Sequence, residues 1–302
     1  MRWLIAFCAF LFMAQSQAQT LPIKEIGAGI YVHQGVHEDL AEGYNGDICN
    51  VSFVVGSKGV AVIDTGGSYK TGRQLREAVR QVTALPILYV INTHVHPDHI
   101  FGNAAFLEDK PEFVGHAKLG EAMELRKESY LRSNQQWLGE AFAGSEIVKP
   151  TLAVQDRMQL DLGDRTLQLQ AYPIAHTNTD LTVLDSKTAT LWTGDLLFVE
   201  RTPSLDGDLK GWIAVAEQLA SVPATQAVPG HGPVAADLKV ALERERRYLT
   251  VLLQDIRASI KQGKMMEEAM DHAAASEKEQ WVLFDIVNRR NVNIAYPALE
   301  WE

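Results

Sequence analysis

The sequence predicts a mixed α/β protein with two β-rich halves, each closed by helices. Short, β-branched apolar runs such as Val51–Val55 and Ile87–Ile91 are typical of buried strands. The alternation of apolar and polar residues in Thr166–Ala171 predicts a strand with one buried face. Apolar residues three and four positions apart predict an amphipathic helix over Tyr69–Thr83. A chain of 302 residues with 46% hydrophobic content can bury a sizeable core, which fits a single domain.

Residues 1–18 have the pattern of a secretory signal peptide. Arg2 precedes an almost uninterrupted apolar run, Trp3–Ala14, and Ser16-Gln17-Ala18 forms a small-x-small cleavage site. The apolar run is too short for a stable membrane span. The pattern predicts cleavage after Ala18 and a periplasmic or secreted protein, with an uncleaved anchor as the alternative.

The remaining residues, 19–302, are acidic and contain one thiol. The formal net charge of the whole chain is −10 at pH 7, and the signal peptide contributes one Arg and no acidic residue to it. A lone Cys49 cannot form an internal disulfide. Because phosphate binding requires basic patches, the acidic balance argues against a nucleic-acid partner, and we expect a small-molecule substrate.

The first half of this domain alternates strands with helices after a long polar loop, His33–Asn50. Loops of this length inside a compact domain are uncommon and often functional. The predicted elements are strands in Ile23–Val32, at Val51–Val55 and at Val60–Ile63, the helix Tyr69–Thr83, a strand at Ile87–Ile91, a short helix Ile100–Phe106, a strand at Phe113–Val114 and a long helix Lys118–Phe142.

The second half begins with strands and ends in a helical extension from about residue 235. Its predicted elements are strands within Thr151–Tyr172, at Leu181–Leu184 and at Thr190–Trp192, a helix Gly211–Ala220, a strand Thr225–Val228, and C-terminal helices over Ala236–Lys261, Met265–Ala275 and Glu277–Asn288.

Four side chains that can bind metals follow the strand Ile87–Ile91, in the sequence Asn-Thr-His-Val-His-Pro-Asp-His. In an extended segment, residues two apart point the same way, so His94 and His96 can face one metal ion together. Pro97 suits the first turn of a helix, and that turn directs Asp98 and His99 toward a second ion. A merely solvated polar loop is the alternative. The spacing favours a metal site with two ions.

This His-x-His-x-Asp-His motif after an apolar strand resembles the central motif of the metallo-β-lactamase superfamily. The resemblance implies a four-layer αββα sandwich, here with extra C-terminal helices, and a metal site at one edge of the sheets. Three later residues match the order and context of the superfamily pattern: His176 in Pro-Ile-Ala-His-Thr, Asp195 in Thr-Gly-Asp and His231 in Pro-Gly-His-Gly.

The resemblance implies a complete ligand set for two ions. It assigns one ion to His94, His96 and His176, the other to Asp98, His99 and His231, with Asp195 bridging them. Imidazoles and carboxylates suit two Zn²⁺ ions, although iron or manganese would also accept these ligands. Asp64 matches the superfamily's aspartate at a strand end, and we predict that it accepts a hydrogen bond that orients a ligating histidine; a turn-capping role is the alternative.

Two loops are candidates for substrate contact. His33 and His37 lie in the long early loop, which can overhang the metals in this fold. Arg201 and Trp212 lie in the segment that follows Asp195, and they could hold an anionic or planar substrate. The alternative is a surface Arg and a core Trp.

The predicted activity is hydrolysis of an ester, thioester, amide or lactam. The resemblance implies that a hydroxide held between two metal ions attacks the substrate, with Asp98 orienting it or relaying a proton. The segments His33–Glu38, Ile91–Gly102 and Asn291–Glu302 resemble the sulfur-oxidation-like and quinoprotein-associated zinc metallohydrolases. That likeness implies an association with a pyrroloquinoline-quinone (PQQ) dehydrogenase in the periplasm. The alternatives are a class B β-lactamase, a mononuclear iron persulfide dioxygenase and a non-catalytic accessory protein.

Overall fold

The computed structural model of the protein describes residues 20–41 and 43–302. The predicted signal peptide, residues 1–18, lies outside the described residues. The strands of the described part form two sheets, one of seven strands and one of five.

The seven-stranded sheet follows chain order from edge to edge. Its first four strands are antiparallel neighbours, whereas the fourth to seventh run parallel to one another. The strands are β1 (Lys24–Gly27), β2 (Ile30–His33), β3 (Val51–Val55), β4 (Val60–Ile63), β5 (Ile87–Ile91), β6 (Glu112–His116) and β7 (Leu152–Val154).

The five-stranded sheet has the order β12-β11-β10-β9-β8, in which only the β11–β12 pair is parallel. Its strands are β8 (Arg157–Asp161), β9 (Thr166–Ala171), β10 (Leu181–Asp185), β11 (Thr190–Phe198) and β12 (Gln226–His231).

Seven α-helices and three short 3₁₀ helices connect and cover the sheets in the described residues. The α-helices are α1 (Tyr69–Val82), α2 (Pro97–Ile100), α3 (Leu119–Leu138), α4 (Leu209–Leu219), α5 (Leu238–Lys261), α6 (Met266–His272) and α7 (Phe284–Glu300). The 3₁₀ helices are Asn103–Asp109, Gly139–Phe142 and Ala275–Gln280.

The two sheets pack face to face, with helices on both outer faces. On β4, Ala61 and Ile63 point into the core between the sheets, whereas Val60 and Val62 pack under α1. This alternation follows from the two-residue repeat of a strand. On the second sheet, Trp192 faces the inner core and its neighbour Leu191 packs toward the helices α4 and α5. The predicted αββα sandwich is confirmed.

Several element boundaries differ from the prediction. Strand β11 runs on to Phe198, so Asp195 lies within the strand, next to an irregularity at Gly194, and not at its end. The helix predicted over Glu277–Asn288 is divided, because the 3₁₀ helix Ala275–Gln280 ends at the extended residue Trp281, and Leu283, in a left-handed conformation (φ 62°), directly precedes α7. The helix predicted over Lys118–Phe142 is also divided, because Gly139, at a positive φ of 53°, ends α3.

Among the described residues, no helix has both the length and the apolar character that crossing a membrane requires.

A buried carboxyl group joins α5 to the second sheet. Glu245 is fully buried, and its Oε1 accepts a hydrogen bond of 2.8 Å from the backbone N–H of Phe198. Its other oxygen, Oε2, has no partner among the described residues. Burial raises the pKa of Glu245 well above its usual value, despite the hydrogen bond from Phe198. The folded protein therefore favours the protonated form of this side chain.

We expect Glu245→Gln to stabilise the protein at neutral pH. Glu245 has a higher pKa in the folded state, so its contribution to stability is greatest below the unfolded pKa of about 4.3 and falls as the pH rises above it. Gln keeps an acceptor for Phe198 and does not titrate. The difference in the free energy of unfolding between the variant and the wild type, from urea titrations, should grow between pH 4.5 and 7.5. A difference that stays constant with pH would contradict this expectation.

Candidate metal centre

The candidate site lies where several loops and strand ends meet at one edge of the sandwich. Parallel strands end at the same edge of a sheet, so β4 and β5 deliver Asp64 and the loop His94–His99 to neighbouring positions. In the second sheet, the parallel pair β11 and β12 carries Asp195 and His231. His176 comes from the loop between β9 and β10. Residues that are far apart in the sequence are thereby brought together.

The first group of side chains consists of three histidines and one aspartate. His94 Nε2 lies 3.1 Å from His96 Nδ1, and His176 Nε2 lies 3.0 Å from the same nitrogen. Asp195 Oδ2 is 3.6 Å from His94 Nε2 and 3.3 Å from His176 Nε2. One candidate ligand atom from each of these four side chains lies within 4.8 Å of the others.

The second group shares Asp195 with the first. Asp195 Oδ1 lies 3.2 Å from His99 Nε2, and Asp195 Oδ2 lies 3.4 Å from His231 Nε2. Asp98 Oδ2 is 3.5 Å from His99 Nε2 and 3.4 Å from His231 Nε2. The structure thus brings together all seven side chains that the sequence singled out as metal ligands, with Asp195 between the two groups.

Hydrogen bonds on the outer side of four imidazoles prepare their inner nitrogens for metal binding. His99 Nδ1 donates to Asp64 Oδ2 at 2.8 Å, and His231 Nδ1 donates to the carbonyl of Ile48 at 2.7 Å. His94 Nδ1 lies 3.0 Å from Thr93 Oγ1, which itself donates to Asp64. The outer nitrogen of the fourth, His96 Nε2, donates to Asp206 Oδ2 at 3.1 Å. When the outer nitrogen carries the only proton of a ring, the inner nitrogen presents a lone pair that a metal can bind.

The imidazole nitrogens and carboxylate oxygens that face the centre of this cluster are better suited to binding a metal than to hydrogen bonding with one another. His99 Nε2 and Asp195 Oδ1 are buried and have no hydrogen-bond partner among the described residues. The nitrogens of His94, His96 and His176 converge, and lone pairs that face each other cannot all be satisfied by protons. Buried polar atoms normally have partners. Cations bound by nitrogen and carboxylate oxygen would supply them.

Burial and charge set the protonation of the histidines. Burial lowers the pKa of His176 to about 3 and holds the pKa of His94 well below its usual value. His99 differs, because the carboxylates of Asp195, Asp98 and Asp64 outweigh the effect of burial and raise its pKa well above the usual value. Burial would raise the pKa of Asp195, but His231 and His99 hold it well below its usual value. The centre is therefore anionic at its carboxylates and would attract a cation.

Asp64 lies where the sequence predicted an orienting acceptor. Besides the bond from His99, its carboxylate accepts from the backbone N–H of Thr93 at 2.9 Å and from Thr93 Oγ1 at 2.7 Å. Asp64 has a φ of 54°, a conformation that costs about 1–3 kcal/mol in most contexts. These hydrogen bonds hold the strained residue in place, and through it the ring of His99.

Asp206 is a site residue that sequence reasoning missed. It lies in the segment after Asp195 from which only Arg201 and Trp212 were selected, and no motif surrounds it. Its carboxylate accepts from His96 and from Arg126 Nη2, the latter at 3.3 Å. These two partners outweigh the effect of burial and lower the pKa of Asp206 to about 2.

The C-terminal helix α7 supports the loop that carries Asp206. Asn291 Nδ2 donates to the carbonyl of Pro203 at 2.7 Å, and its Oδ1 accepts from the backbone N–H of Leu205 at 2.9 Å. Asn291 also donates to Tyr248 Oη at 2.7 Å, which joins α7 to α5. Helices far along the chain therefore contribute to the position of Asp206.

A cavity of about 460 Å³ opens over the cluster. Metal-ligand candidates form its floor, and its walls combine aromatic, apolar and basic side chains. The wall residues that α3 contributes include Arg126, Tyr130, Asn134 and Trp137, while other segments add Leu40, Ile48, Phe198, Arg201, Asp206 and Arg290. A larger cavity, of about 660 Å³, lies elsewhere, beside β8 and β9, and contains none of the seven cluster residues.

The predicted substrate residues are placed differently from one another. Arg201 lines the cavity, but His33, His37 and Trp212 are not among its lining residues. Trp212 is fully buried, and its ring centroid lies 5.1 Å from that of His176. It therefore packs against a candidate metal ligand, in contrast to the substrate contact predicted for it. His33 is also buried, with both ring nitrogens bonded, to the carbonyl of Pro22 and to Asp47. His37 lies 3.4 Å from Glu200, so both histidines serve to hold their loop.

The fold and the site define a class of protein: an αββα sandwich with a histidine–aspartate cluster that can hold two metal ions at one edge. The sequence profile of the metallo-beta-lactamase superfamily matches residues 44–231. The chain therefore belongs to that superfamily. The match ends at His231, before the helices α5, α6 and α7 begin.

Relatives with assigned activities include two kinds of hydrolase. The chain is 28% identical over 206 residues to the human acyl-coenzyme A thioesterase MBLAC2, a match that covers 63% of this chain and 68% of the thioesterase. It is 32% identical over 62 residues to the linear primary-alkylsulfatase of a Pseudomonas strain, which is 20% of this chain and 12% of the sulfatase.

Solved structures share the fold at low sequence identity. The sec-alkylsulfatase Pisa1 from Pseudomonas sp. superposes with a TM-score of 0.71 at 15% identity, covering 92% of this chain. The chain spans 50% of the length of that sulfatase. A metallo-beta-lactamase family protein from Thermus thermophilus gives a TM-score of 0.66 at 17% identity and covers 91% of this chain and 93% of its own.

We expect Gly230→Ala to disrupt the cluster. A Cβ at residue 230 would lie 1.8 Å from Asp195 Oδ1, so the carboxylate shared by both groups would have to move. Overpacking of this kind costs about 1–3 kcal/mol or more, and the displaced ligand should reduce zinc uptake. Gly120→Ala on α3 is the matched control, because its Cβ would meet nothing nearer than Pro150, at 3.8 Å. The measurements are the thermal unfolding temperature and the zinc content of the two variants. Equal zinc content in Gly230→Ala and Gly120→Ala would contradict the expectation.

We expect Asp206→Asn to weaken metal binding without unfolding the protein. The substitution keeps the shape of the side chain but removes the charge that orients and polarises His96. Loss of such a supporting carboxylate typically costs about 10–100-fold in metal affinity. Chelator competition with Zn²⁺ measures this effect. Asp161→Asn, at an exposed ion pair with Lys58, is the control and should leave the affinity unchanged. If both variants bind zinc as the wild type does, Asp206 has no such role.

Proposed function

We propose that the protein is a metal-dependent hydrolase with two Zn²⁺ ions. The observation that carries this proposal is the position of Asp195, whose two carboxylate oxygens lie 3.2–3.6 Å from the inner nitrogens of four histidines in two groups. One ion would be held by His94, His96 and His176, and the other by Asp98, His99 and His231, with Asp195 shared. Imidazole and carboxylate ligands in this proportion suit zinc.

Two ions in this arrangement would lower the pKa of a bound water and polarise the electrophilic oxygen of a substrate. The chain contributes the geometry around them. Asp98 is almost fully buried and belongs to the second group, and from this position its carboxylate can accept or relay the proton of the attacking water. The cavity above the cluster offers apolar walls to the rest of the substrate.

The proposed substrates are esters, thioesters, amides or lactams, and a thioester is favoured among them. The similarity to an acyl-coenzyme A thioesterase over 63% of this chain supports the thioester. The similarity to alkylsulfatases makes a sulfate ester the second candidate, on the basis of a shorter sequence match and a shared fold. Hydrolysis of each bond requires the same elements: a water made nucleophilic and a stabilised leaving atom, which is oxygen in an ester or sulfate ester, sulfur in a thioester and nitrogen in an amide or lactam.

Three other functions are separated from this proposal by simple measurements. A class B β-lactamase would hydrolyse nitrocefin. A mononuclear iron persulfide dioxygenase would contain one iron per chain and consume oxygen, whereas the second group, Asp98, His99 and His231, favours two ions. A non-catalytic accessory protein would not require a cavity that opens over a complete ligand cluster.

Export and the quinoprotein association stay predictions of the sequence. Cleavage after Ala18 would be visible in the mass of the mature protein from a bacterial periplasm. A periplasmic PQQ dehydrogenase partner would be tested by co-purification from cells that express both proteins.

We expect His96→Ala to abolish metal binding and turnover together. His96 Nδ1 is the atom on which His94 and His176 converge, so its loss removes one ligand and leaves the others without a common centre. The measurements are zinc per chain by elemental analysis and the rate of hydrolysis of ester, thioester, sulfate-ester and lactam substrates. We expect loss of the bound zinc and a rate at least about 10²–10³-fold lower, because the ions supply several kcal/mol of transition-state stabilisation.

His272→Ala is the control for this experiment, because His272 is an exposed residue at the end of α6. It should keep the metal content and the rate of the wild type. Undiminished turnover by metal-free His96→Ala protein would refute the proposed mechanism.

A further inference from the structure

Arg201 is a buried cation in the wall of the cavity. Only 5% of its surface is exposed. Its Nη1 donates to the carbonyl of Glu38 at 2.6 Å, while its buried Nε has no partner in the part of the chain that the structure describes. Among the described residues, no carboxylate oxygen lies within 4.0 Å of a nitrogen of this guanidinium, the distance that defines an ion pair. The side chain is therefore positioned by one hydrogen bond to an uncharged carbonyl group, and its other N–H groups donate to none of the described residues.

The other two arginines of the cavity are already neutralised. Arg290 donates from both terminal nitrogens to Asp39, at 2.6 and 2.8 Å. Arg126 lies 3.3 Å from Asp206. Of the three guanidiniums that line the cavity, Arg201 is thus the one without a carboxylate partner in the described part of the chain.

An unpaired buried charge is costly, so its retention in a cavity wall requires a reason. Burial lowers the pKa of Arg201, but Asp98 and Asp195 act in the opposite direction, and a guanidinium stays protonated in proteins. Its planar fork of donors matches the oxygens of a carboxylate or sulfate. An anionic group of a ligand would therefore satisfy both the charge and the free donors.

The neighbouring walls indicate what the anionic group is attached to. Leu40, Tyr130 and Trp137 line the same cavity and present apolar and aromatic surface. The cluster of histidines and aspartates forms the floor. A ligand that fills the cavity would thus combine an apolar body, an anionic end and a group that reaches the floor.

We propose that Arg201 is the anion-binding residue of this site and that the substrate carries a singly charged oxyanion, a carboxylate or a sulfate, on an apolar body. The proposal rests on the proposed function only in placing the reacting bond at the histidine–aspartate cluster. Binding of the anion can be measured without turnover, so the two proposals can fail separately.

The experiment is a calorimetric titration of the zinc-loaded protein with matched probes. The probes are 4-phenylbutyrate, its neutral analogue 4-phenylbutyramide, and 2-phenylethyl sulfate. We expect the acid to bind the wild type at least about tenfold more tightly than the amide, and Arg201→Gln to lose about 10–100-fold in affinity for the acid, as for a charge-assisted hydrogen bond. The amide should bind both proteins equally. The stronger of the acid and the sulfate identifies the preferred oxyanion.

Two further variants act as controls. Arg201→Lys keeps the charge without the fork and should recover part of the lost affinity. Arg157→Gln removes an arginine from the separate cavity beside β8, where Arg157 bonds Gln170, and should bind the probes as the wild type does. Thermal unfolding of each variant reports whether it is folded.

The proposal is overturned if Arg201→Gln is folded and binds the acid as tightly as the wild type, because the ions would then hold the carboxylate. It is also overturned if the acid and the amide bind the wild type equally, or if neither binds. If Arg201→Gln does not fold, the affinities of the acid and the amide are compared on chelator-treated wild type, in which no ion is left to bind the acid. Tighter binding of the acid then supports the proposal, and equal binding overturns it. If the acid binds more tightly than the amide but the protein hydrolyses none of the substrates, the anion-binding role of Arg201 is supported and the proposed hydrolase function is refuted.

Discussion

The rest of the site depends on one carboxylate, that of Asp195. Its oxygens lie within hydrogen-bonding or ion-pair distance of four imidazoles that come from three separate parts of the chain. The carboxylate fits there only because its neighbours lack side chains. A Cβ on Gly230 would overlap Asp195 Oδ1, and a Cβ on Gly194 would lie 2.6 Å from Thr93. The two glycines, one on each of the parallel strands β11 and β12, thus allow the backbone to approach as closely as the cluster requires.

The electrostatics of the cluster follow from this close approach. Taken out of water, the histidines would lose their protons, as His176 and His94 do, while the carboxylates would be costly to keep charged. Imidazoles and carboxylates offset part of this cost for each other, and the depressed pKa of Asp195 is the result. The compensation is incomplete, because His99 Nε2 and Asp195 Oδ1 have no partner in the described residues. Cations would complete it, so the same geometry that makes the centre costly to fold makes it suited to bind metal.

Short-range patterns in the sequence predicted only part of this centre. The histidine loop follows a strand, and the two-residue repeat of an extended segment places His94 and His96 on one side. His176, Asp195 and His231 were predicted from the resemblance to the superfamily. Asp206, Arg126 and Asn291 could not be found in this way, since each is an ordinary polar residue whose role arises from contacts with distant segments. Trp212 and His33 illustrate the opposite error: a residue type suited to binding was selected, but its burial, which only tertiary packing decides, removes it from the cavity.

The C-terminal helices show how far the supporting structure extends beyond the family pattern, which ends at His231. Glu245 on α5 holds the backbone of Phe198, whose ring stacks on that of His231 at 5.1 Å and packs against His176 at 5.8 Å. Asn291 on α7 holds the loop before Asp206, which in turn bonds His96. A candidate ligand of each group is therefore positioned by a helix outside the matched region. Because the groups that orient a metal ligand typically contribute about 10–100-fold to metal affinity, these helices belong to the site physically, although they contribute no candidate ligand themselves.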